Sequence, residues 1–188
     1  LIQTHKGPAK VSGDGKILID QKSNIESVYR YNYMSSPVTT DLATNTYTVG
    51  SVFKDGTTAL VAPDNDNASN IAKDINFQPG YDGATTDPIT ISTRWIYTFE
   101  PAEGNVSNWI RKGKDGTILP TDGFIFKGPG VAQNYTFTGS PNDGVLTTRT
   151  IGKDQSYLLG NPFSSALSAK KFIHDNKGSI TGSLYFWD

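Results

Sequence analysis

Cysteine is absent from the 188 residues of this chain. That removes disulfides, thiolate metal sites and cysteine nucleophiles. Histidine is nearly absent, with only His5 and His174, far apart in sequence, so a zinc site has no ligand set. An excess of either charge is also missing: 17 basic and 18 acidic residues give a formal net charge of -1. No stretch concentrates Lys and Arg as nucleic-acid binding requires, which argues against polyanions and against an anionic membrane surface. Apolar runs fall short of the roughly 20 residues that span a bilayer, and no signal peptide is visible. Neither nucleic acid nor direct membrane insertion is therefore expected. The single methionine is Met34, which predicts a fragment or processed product of a longer protein.

What is present is a low charge content of 19%, a hydrophobic content of 36% and abundant Gly, Thr, Asn, Asp and Ser. A helical chain would use more Glu, Lys, Leu and Ala. Many short strands joined by polar turns fit better, and the length suits one large all-β domain.

Turn residues divide the chain. Gly13-Asp14-Gly15 separates Ala9-Lys10-Val11 from Lys16-Ile17-Leu18-Ile19, predicting a hairpin over residues 1–26 that continues from an upstream segment. From Ser27 to Met34, Tyr29, Tyr31 and Tyr33 alternate with Val28, Arg30, Asn32 and Met34, the period of a strand. Weaker strands are expected at 46–49 and 59–61, followed by a long polar excursion from Pro63 to Pro88. Ile89, Ile91, Thr93, Trp95, Tyr97 and Phe99 then share one face of an alternating run. Further strands are predicted at 109–110, 123–128, 135–138, 145–151, 157–159 and 184–187, separated by Gly128-Pro129-Gly130 and Pro141-Asn142-Asp143-Gly144. A sharp corner is expected at Asn161-Pro162.

One helix is predicted, capped by Ser164 or Ser165, with an apolar stripe through Ala166, Leu167, Ala169, Phe172 and Ile173 and a stop at Gly178. The expected architecture is all-β: a two-sheet antiparallel β-sandwich of the jelly-roll kind over residues 27–188, with one short α-helix near the C-terminus. Its core is expected from Tyr31, Tyr33, Ile91, Trp95, Tyr97, Phe124, Phe126, Phe137, Leu158 and Tyr185, with Phe172 and Ile173 closing one end.

Five segments in order carry a resemblance. They are Arg30 to Val38, Gly123 to Gly128, Tyr135 to Gly144, Leu159 to Leu167 and Gly182 to Asp188. Over residues 28 to 188 the chain resembles a β-sandwich module of large secreted and cell-surface proteins of Bacteroidetes-type bacteria, commonly exported through the type IX secretion system. The resemblance implies an extracellular address and neighbouring domains of the same parent chain as partners. It carries over no catalytic residue.

Chemistry is sparse along the chain. No G-x-S-x-G elbow exists for a serine nucleophile, and no glycine-rich loop opens a helix to hold phosphate. Glu100 and Glu103 have the spacing of a carboxylate pair but flank Pro101 and Gly104, and two surface carboxylates are the expectation. No cofactor is expected. Calcium is the exception, through Asp64, Asp66 and Asp74 with the nearby Asn65 and Asn67, although the EF-hand pattern fails. For a glycan, Trp109, Arg111, Asn108 and Tyr81 are the candidate contacts, because aromatic faces stack on sugar rings while amide and guanidinium groups bond hydroxyls. The sequence thus predicts a non-enzymatic extracellular structural or adhesion module of a larger surface protein. The alternative is a carbohydrate-binding module attached to a secreted polysaccharide-degrading enzyme, with cell-surface or matrix glycans as partners.

Overall fold

Phe53 stands where the two sheets meet, with four aromatic rings around it: Tyr135 at 4.7 Å, Phe137 at 5.0 Å, Phe126 at 5.1 Å and Phe124 at 5.8 Å between centroids. The computed structural model describes residues 7–8, 11–40, 42–56, 72–104 and 106–185. Among them are eleven strands: β1 (Ile17–Ser23), β2 (Tyr31–Met34), β3 (Val38–Thr39), β4 (Phe53–Asp55), β5 (Lys73–Asp74), β6 (Asn76–Gln78), β7 (Thr90–Ser92), β8 (Tyr97–Ala102), β9 (Val106–Arg111), β10 (Phe124–Lys127) and β11 (Gln133–Pro141). The helices are α1 (Val49–Val52) and α2 (Ala169–Asp175).

The first sheet has five strands, ordered β1-β11-β4-β5, with β3 pairing the far end of β11. The second has four, ordered β2-β10-β8-β9, and all its pairings are antiparallel. A short parallel pair, β6-β7, lies apart from both. The fold is mostly β, with antiparallel sheets in a two-sheet, sandwich-like arrangement.

Strand β1 shows why its sequence forms an edge. Ile17 and Ile19 pack against the core while Leu18, Asp20 and Lys22 face solvent, the alternation of a half-buried strand. Of the expected hairpin's first arm, Ala9 and Lys10 lie outside the described residues, and residues 17–23 have a partner distant in sequence. They pair with Gln133 to Gly139 of β11.

The buried set comprises Val38, Tyr47, Val49, Val52, Phe53, Ile75, Ile89, Ile91, Ile96, Ile118, Phe124, Phe126, Tyr135 and Phe137. Of the expected core, Ile91, Phe124, Phe126 and Phe137 are in it. Tyr31, Tyr33, Trp95, Tyr97 and Leu158 are only half-buried, and Tyr185 is 85% exposed. The error has a local cause. The run from Ile89 to Phe99 is not one strand: a 3-10 turn at Thr93–Trp95 separates β7 from β8. The odd residues Ile89 and Ile91 are buried before it, together with Thr90 and Ser92, whereas after it the even residues Ile96, Thr98 and Glu100 are buried and the odd ones are not. A single turn of three residues per revolution shifts the parity of a period-2 pattern.

After β11 the chain has no strand or helix until α2, so the strands expected at 145–151 and 157–159 are replaced by an irregular strap, with one isolated bridge from Leu159 to Asp122. The strap is held by polar anchors. Gly160 N–H donates to the Thr121 carbonyl at 2.8 Å, and Asn142 Nδ2 donates to the Pro162 carbonyl at 2.8 Å. A Cβ on Gly160 would lie 3.1 Å from the Asp122 carbonyl oxygen, so glycine permits this close approach. The Asn161 side chain shapes the predicted corner by accepting from Phe163 N–H at 3.1 Å, an Asx turn. The cis peptide among the described residues is Asp87-Pro88.

Helix α2 begins later than expected, with Ser168 as its cap accepting from Lys171 N–H at 3.2 Å. Phe172 and Ile173 are half-buried, and no residue of the helix is fully buried. The helix therefore covers an edge of the fold rather than closing the core. The terminal residues 186–188 of the expected last strand lie outside the described residues, as do Ala59-Leu60-Val61.

Candidate functional site

The outer face of the four-stranded sheet is aromatic. Directly opposed residues on antiparallel strands share a face, so the register can be read across the sheet. Tyr33 of β2 opposes Ile125 of β10, Ile125 opposes Tyr97 of β8, and Tyr97 opposes Arg111 of β9. One row of four side chains thus crosses all four strands. On one side of it lies the Tyr31–Lys127 pair, and on the other the Phe99–Trp109 pair. The inner face of the same strands carries Asn32, Phe124, Phe126, Thr98 and Glu100, all buried.

Ile125 is 4% exposed but stands outside the contiguous core. It is covered by its neighbours on the outer face, where Tyr33 and Tyr97 flank it. The Phe99 and Trp109 rings are 4.9 Å apart and tilted by 45°. Trp109 remains 47% exposed, so one of its faces is open to a partner.

At the other end, Lys127 lies between two rings. Its Nζ is 3.9 Å from the Trp95 centroid and 5.2 Å from that of Tyr31. Trp95 is fixed by its indole N–H, which donates to the Tyr81 carbonyl at 2.6 Å. The Tyr81 ring lies 6.4 Å from that of Trp95, and the Arg94 guanidinium sits 4.2 Å from the Tyr81 centroid. The Ser92 hydroxyl ties this turn to the Gly80 carbonyl and accepts from Arg94 N–H at 3.2 Å. Arg94, Tyr81, Trp95, Lys127 and Tyr31 thus form an alternating series of cations and rings. Each such contact contributes about 0.5–1 kcal/mol where solvent reaches it. Burial, and then the nearby Tyr97 and Tyr33, push the Tyr31 phenol above its ordinary value.

Of the residues expected to hold a glycan, Trp109 and Arg111 lie on this face. Tyr81, 63% exposed, joins it through Trp95. Asn108 does not: it opposes the buried Glu100 and so belongs to the other side of β9. Sequence reasoning missed Tyr31, Tyr33, Trp95, Tyr97 and Lys127 as surface residues, because aromatic alternation reads equally well as a core face. Arg94 and Lys127 could not be found at all, since their partners are remote in sequence.

Of the expected calcium ligands, Asp64 and Asp66 lie outside the described residues. Asp74 in β5 is exposed, and its carboxylate accepts from Lys54 Nζ at 2.6 Å. Among the described residues no group of three or more His, Asp or Glu side chains is placed to hold a metal ion.

Glu100 and Glu103 are not a surface pair. Glu100 is buried in β8 and receives Lys112 Nζ at 2.8 Å, Arg149 Nη1 at 3.1 Å and the Thr98 hydroxyl at 2.5 Å. Burial pushes its pKa up, but hydrogen bonds from Lys112 and Thr98 and the charges of Lys112 and Arg149 outweigh this and hold it below its ordinary 4.5. Arg149 also donates to Asp122, which is fully buried and accepts from the Tyr157 hydroxyl. Burial and Asp122 push the Tyr157 phenol well above the ordinary range. This network joins the strap to both the β8 strand and the loop before β10. Its carboxylates are engaged by cations and hydroxyls, an arrangement that orders the strap against the sheet.

A family model described as a domain of unknown function (DUF8693) matches residues 80–188. The matched stretch contains β7 to β11, the strap and α2, and so both ends of the aromatic face except β2. No curated protein and no solved structure matches the chain.

Proposed function

We propose that this chain, which belongs to the DUF8693 domain family, is a non-catalytic module that adheres to glycans through the outer face of its four-stranded sheet. The row Tyr33–Ile125–Tyr97–Arg111 across four hydrogen-bonded strands carries this reading. A sheet holds its outward side chains in fixed register, so aromatic rings on it lose little freedom when a flat ring docks. Arg111, at the end of the row and exposed, supplies donors to hydroxyl oxygens. The buried carboxylates Glu100 and Asp122, held by Arg149, support the non-catalytic part of the reading. The resemblance to modules of secreted bacterial surface proteins supports an extracellular setting within a larger chain.

The test is affinity electrophoresis and calorimetric titration of the purified chain against a panel of soluble polysaccharides. Saturable binding is expected, and Trp109→Ala and Tyr97→Ala are each expected to weaken it by about fivefold or more, since stacking on one aromatic ring contributes about 1–3 kcal/mol. Unchanged affinity in both variants would move the site elsewhere.

A second reading is supported by β9. This strand ends the four-stranded sheet, and Val106 and Ile110 on it are exposed. An edge of this kind is a template for pairing with a neighbouring domain, as a unit of a stalk would require. Sedimentation of the chain fused to its natural neighbours, with and without Ile110→Lys, separates this reading from the first.

A further inference from the structure

Resting on the glycan reading above, we infer that the ligand is an acidic polysaccharide, one whose sugar rings carry carboxylate or sulfate groups. The face carries charge of one sign. The four strands β2, β10, β8 and β9 contain one acidic residue, Glu100, and it points into the core beside Thr98 and Lys112. The outward positions of the same strands carry Lys127 and Arg111, and Arg94 joins them from the turn that precedes β8. Among the described residues none of these three cations is in an ion pair; their contacts are with aromatic rings or across the strand.

A cation held over a ring differs from a solvated surface lysine. Lys127 is confined between Trp95 and Tyr31 at 3.9 and 5.2 Å, so its ammonium is partly stripped of water. Its charge is not neutralised, because an aromatic quadrupole attracts a cation without cancelling it. Such a group gains more from an anion than a fully hydrated one does. Arg94 lies over the single ring of Tyr81, and its buried Nε has no hydrogen-bond partner among the described residues.

The spacing also suits a chain rather than a single sugar. Lys127 on β10 and Arg111 on β9 are two strands apart, about 10 Å across the sheet, and two residues apart along it, about 7 Å, with Tyr97 on the diagonal between them. A polymer lying along that diagonal would set a ring on Tyr97 and present acidic groups to a cation on either side. The linear sequence concealed this, because residues 94, 111 and 127 are dispersed in a chain of net charge -1. The register brings Lys127 and Arg111 to one face, and Arg94 reaches its rim through the Tyr81 ring.

The experiment titrates the full chain with polygalacturonate, with the same polymer fully methyl-esterified, with dextran sulfate and with a single-stranded oligothymidylate. It is repeated with Lys127→Gln/Arg111→Gln, whose fold is checked by near-ultraviolet circular dichroism. Binding to polygalacturonate or dextran sulfate is expected to exceed that of the esterified polymer, and the preferred one of the two identifies carboxylate or sulfate as the recognised group. The double variant should lose about tenfold in affinity, and 0.5 M salt should produce a similar loss. Equal binding of the charged and esterified polymers would overturn the inference while leaving the glycan reading intact. Binding of no polysaccharide would overturn both. Tighter binding of the oligothymidylate than of either acidic polymer would overturn the inference in favour of nucleic acid.

Discussion

Arg149 grips the buried carboxylate of Asp122 with two nitrogens on one oxygen, Nε at 3.1 Å and Nη2 at 2.8 Å from Oδ2. Its remaining nitrogen reaches Glu100 at 3.1 Å. One side chain from the irregular strap therefore joins two acidic groups of the sandwich.

Replacing it is expected to be costly. Arg149→Met removes the cation and leaves Asp122 fully buried with only the Tyr157 hydroxyl and a long contact from Leu119 N–H. The loss should be about 3 kcal/mol, because an uncompensated buried charge costs more than the pair contributes. Urea denaturation checks this. Asp122→Asn added to Arg149→Met should recover part of the loss, since the orphaned charge is then gone.

Glu100 makes stability depend on acid. Its carboxyl is held below the ordinary 4.5 in the folded chain, so the unfolded chain binds its proton first as pH falls. Its contribution is complete above about pH 4.5 and disappears as pH falls through the lower folded value. Denaturant midpoints between pH 6 and pH 3 should fall for the native chain and fall less for Glu100→Gln. Equal slopes would show that Glu100 is not a source of the acid sensitivity.

Alkaline titration should separate the tyrosines. Tyr47 and Tyr135 are pushed far above the ordinary 10.0 by burial, with the charges of Asp122 and Asp55 adding to it, and Tyr157 is raised by burial and Asp122. In a folded chain these three remain protonated above pH 10. Because their folded values lie above the unfolded one, the stability they contribute is complete below pH 10 and is lost as pH rises beyond it. Absorbance at 295 nm should show a second, cooperative step coincident with loss of the near-ultraviolet signal.

The family match and the folding unit have different limits. Residues 80–188 include β10 and β11, yet β10 pairs with β2, and β11 pairs with β1, β3 and β4. All four partners precede residue 80. The segment 80–188 expressed alone would expose Phe124, Phe126, Tyr135 and Phe137, which Phe53 covers in the whole chain. It should show poor amide dispersion in an NMR spectrum, and residues 11–185 should show a folded one. A dispersed spectrum from 80–188 would mean that the matched stretch builds its own core.

Much of the fold was legible in the sequence, and some of it misled. The turn at Gly128-Pro129-Gly130 and the strands on either side of it stand where the residues placed them. Trp109 and Arg111 were readable as surface residues because they lie in a short piece bordered by polar residues. Trp95, Tyr97, Tyr31 and Tyr33 were read as core, and they form the outer face instead. In β2 the buried side chain is Asn32, whose Oδ1 accepts from the Ser23 hydroxyl at 2.5 Å. No apolarity scale would choose that face over one lined with tyrosines.

The sequence by itself determined the class of structure. Period-2 alternation and frequent turn residues admit little besides antiparallel strands, and the absence of cysteine leaves the core to aromatic and branched side chains. Only the tertiary structure decided which side of each strand is inside. Alternation defines two faces without assigning them, and the 3-10 turn at Thr93–Trp95 exchanges them partway along one run. The fold likewise decided that Lys127 and Arg111 share a face and that Arg149 meets Glu100 and Asp122. Those relationships depend on strand order, and strand order is set by the packing of residues distant in the chain.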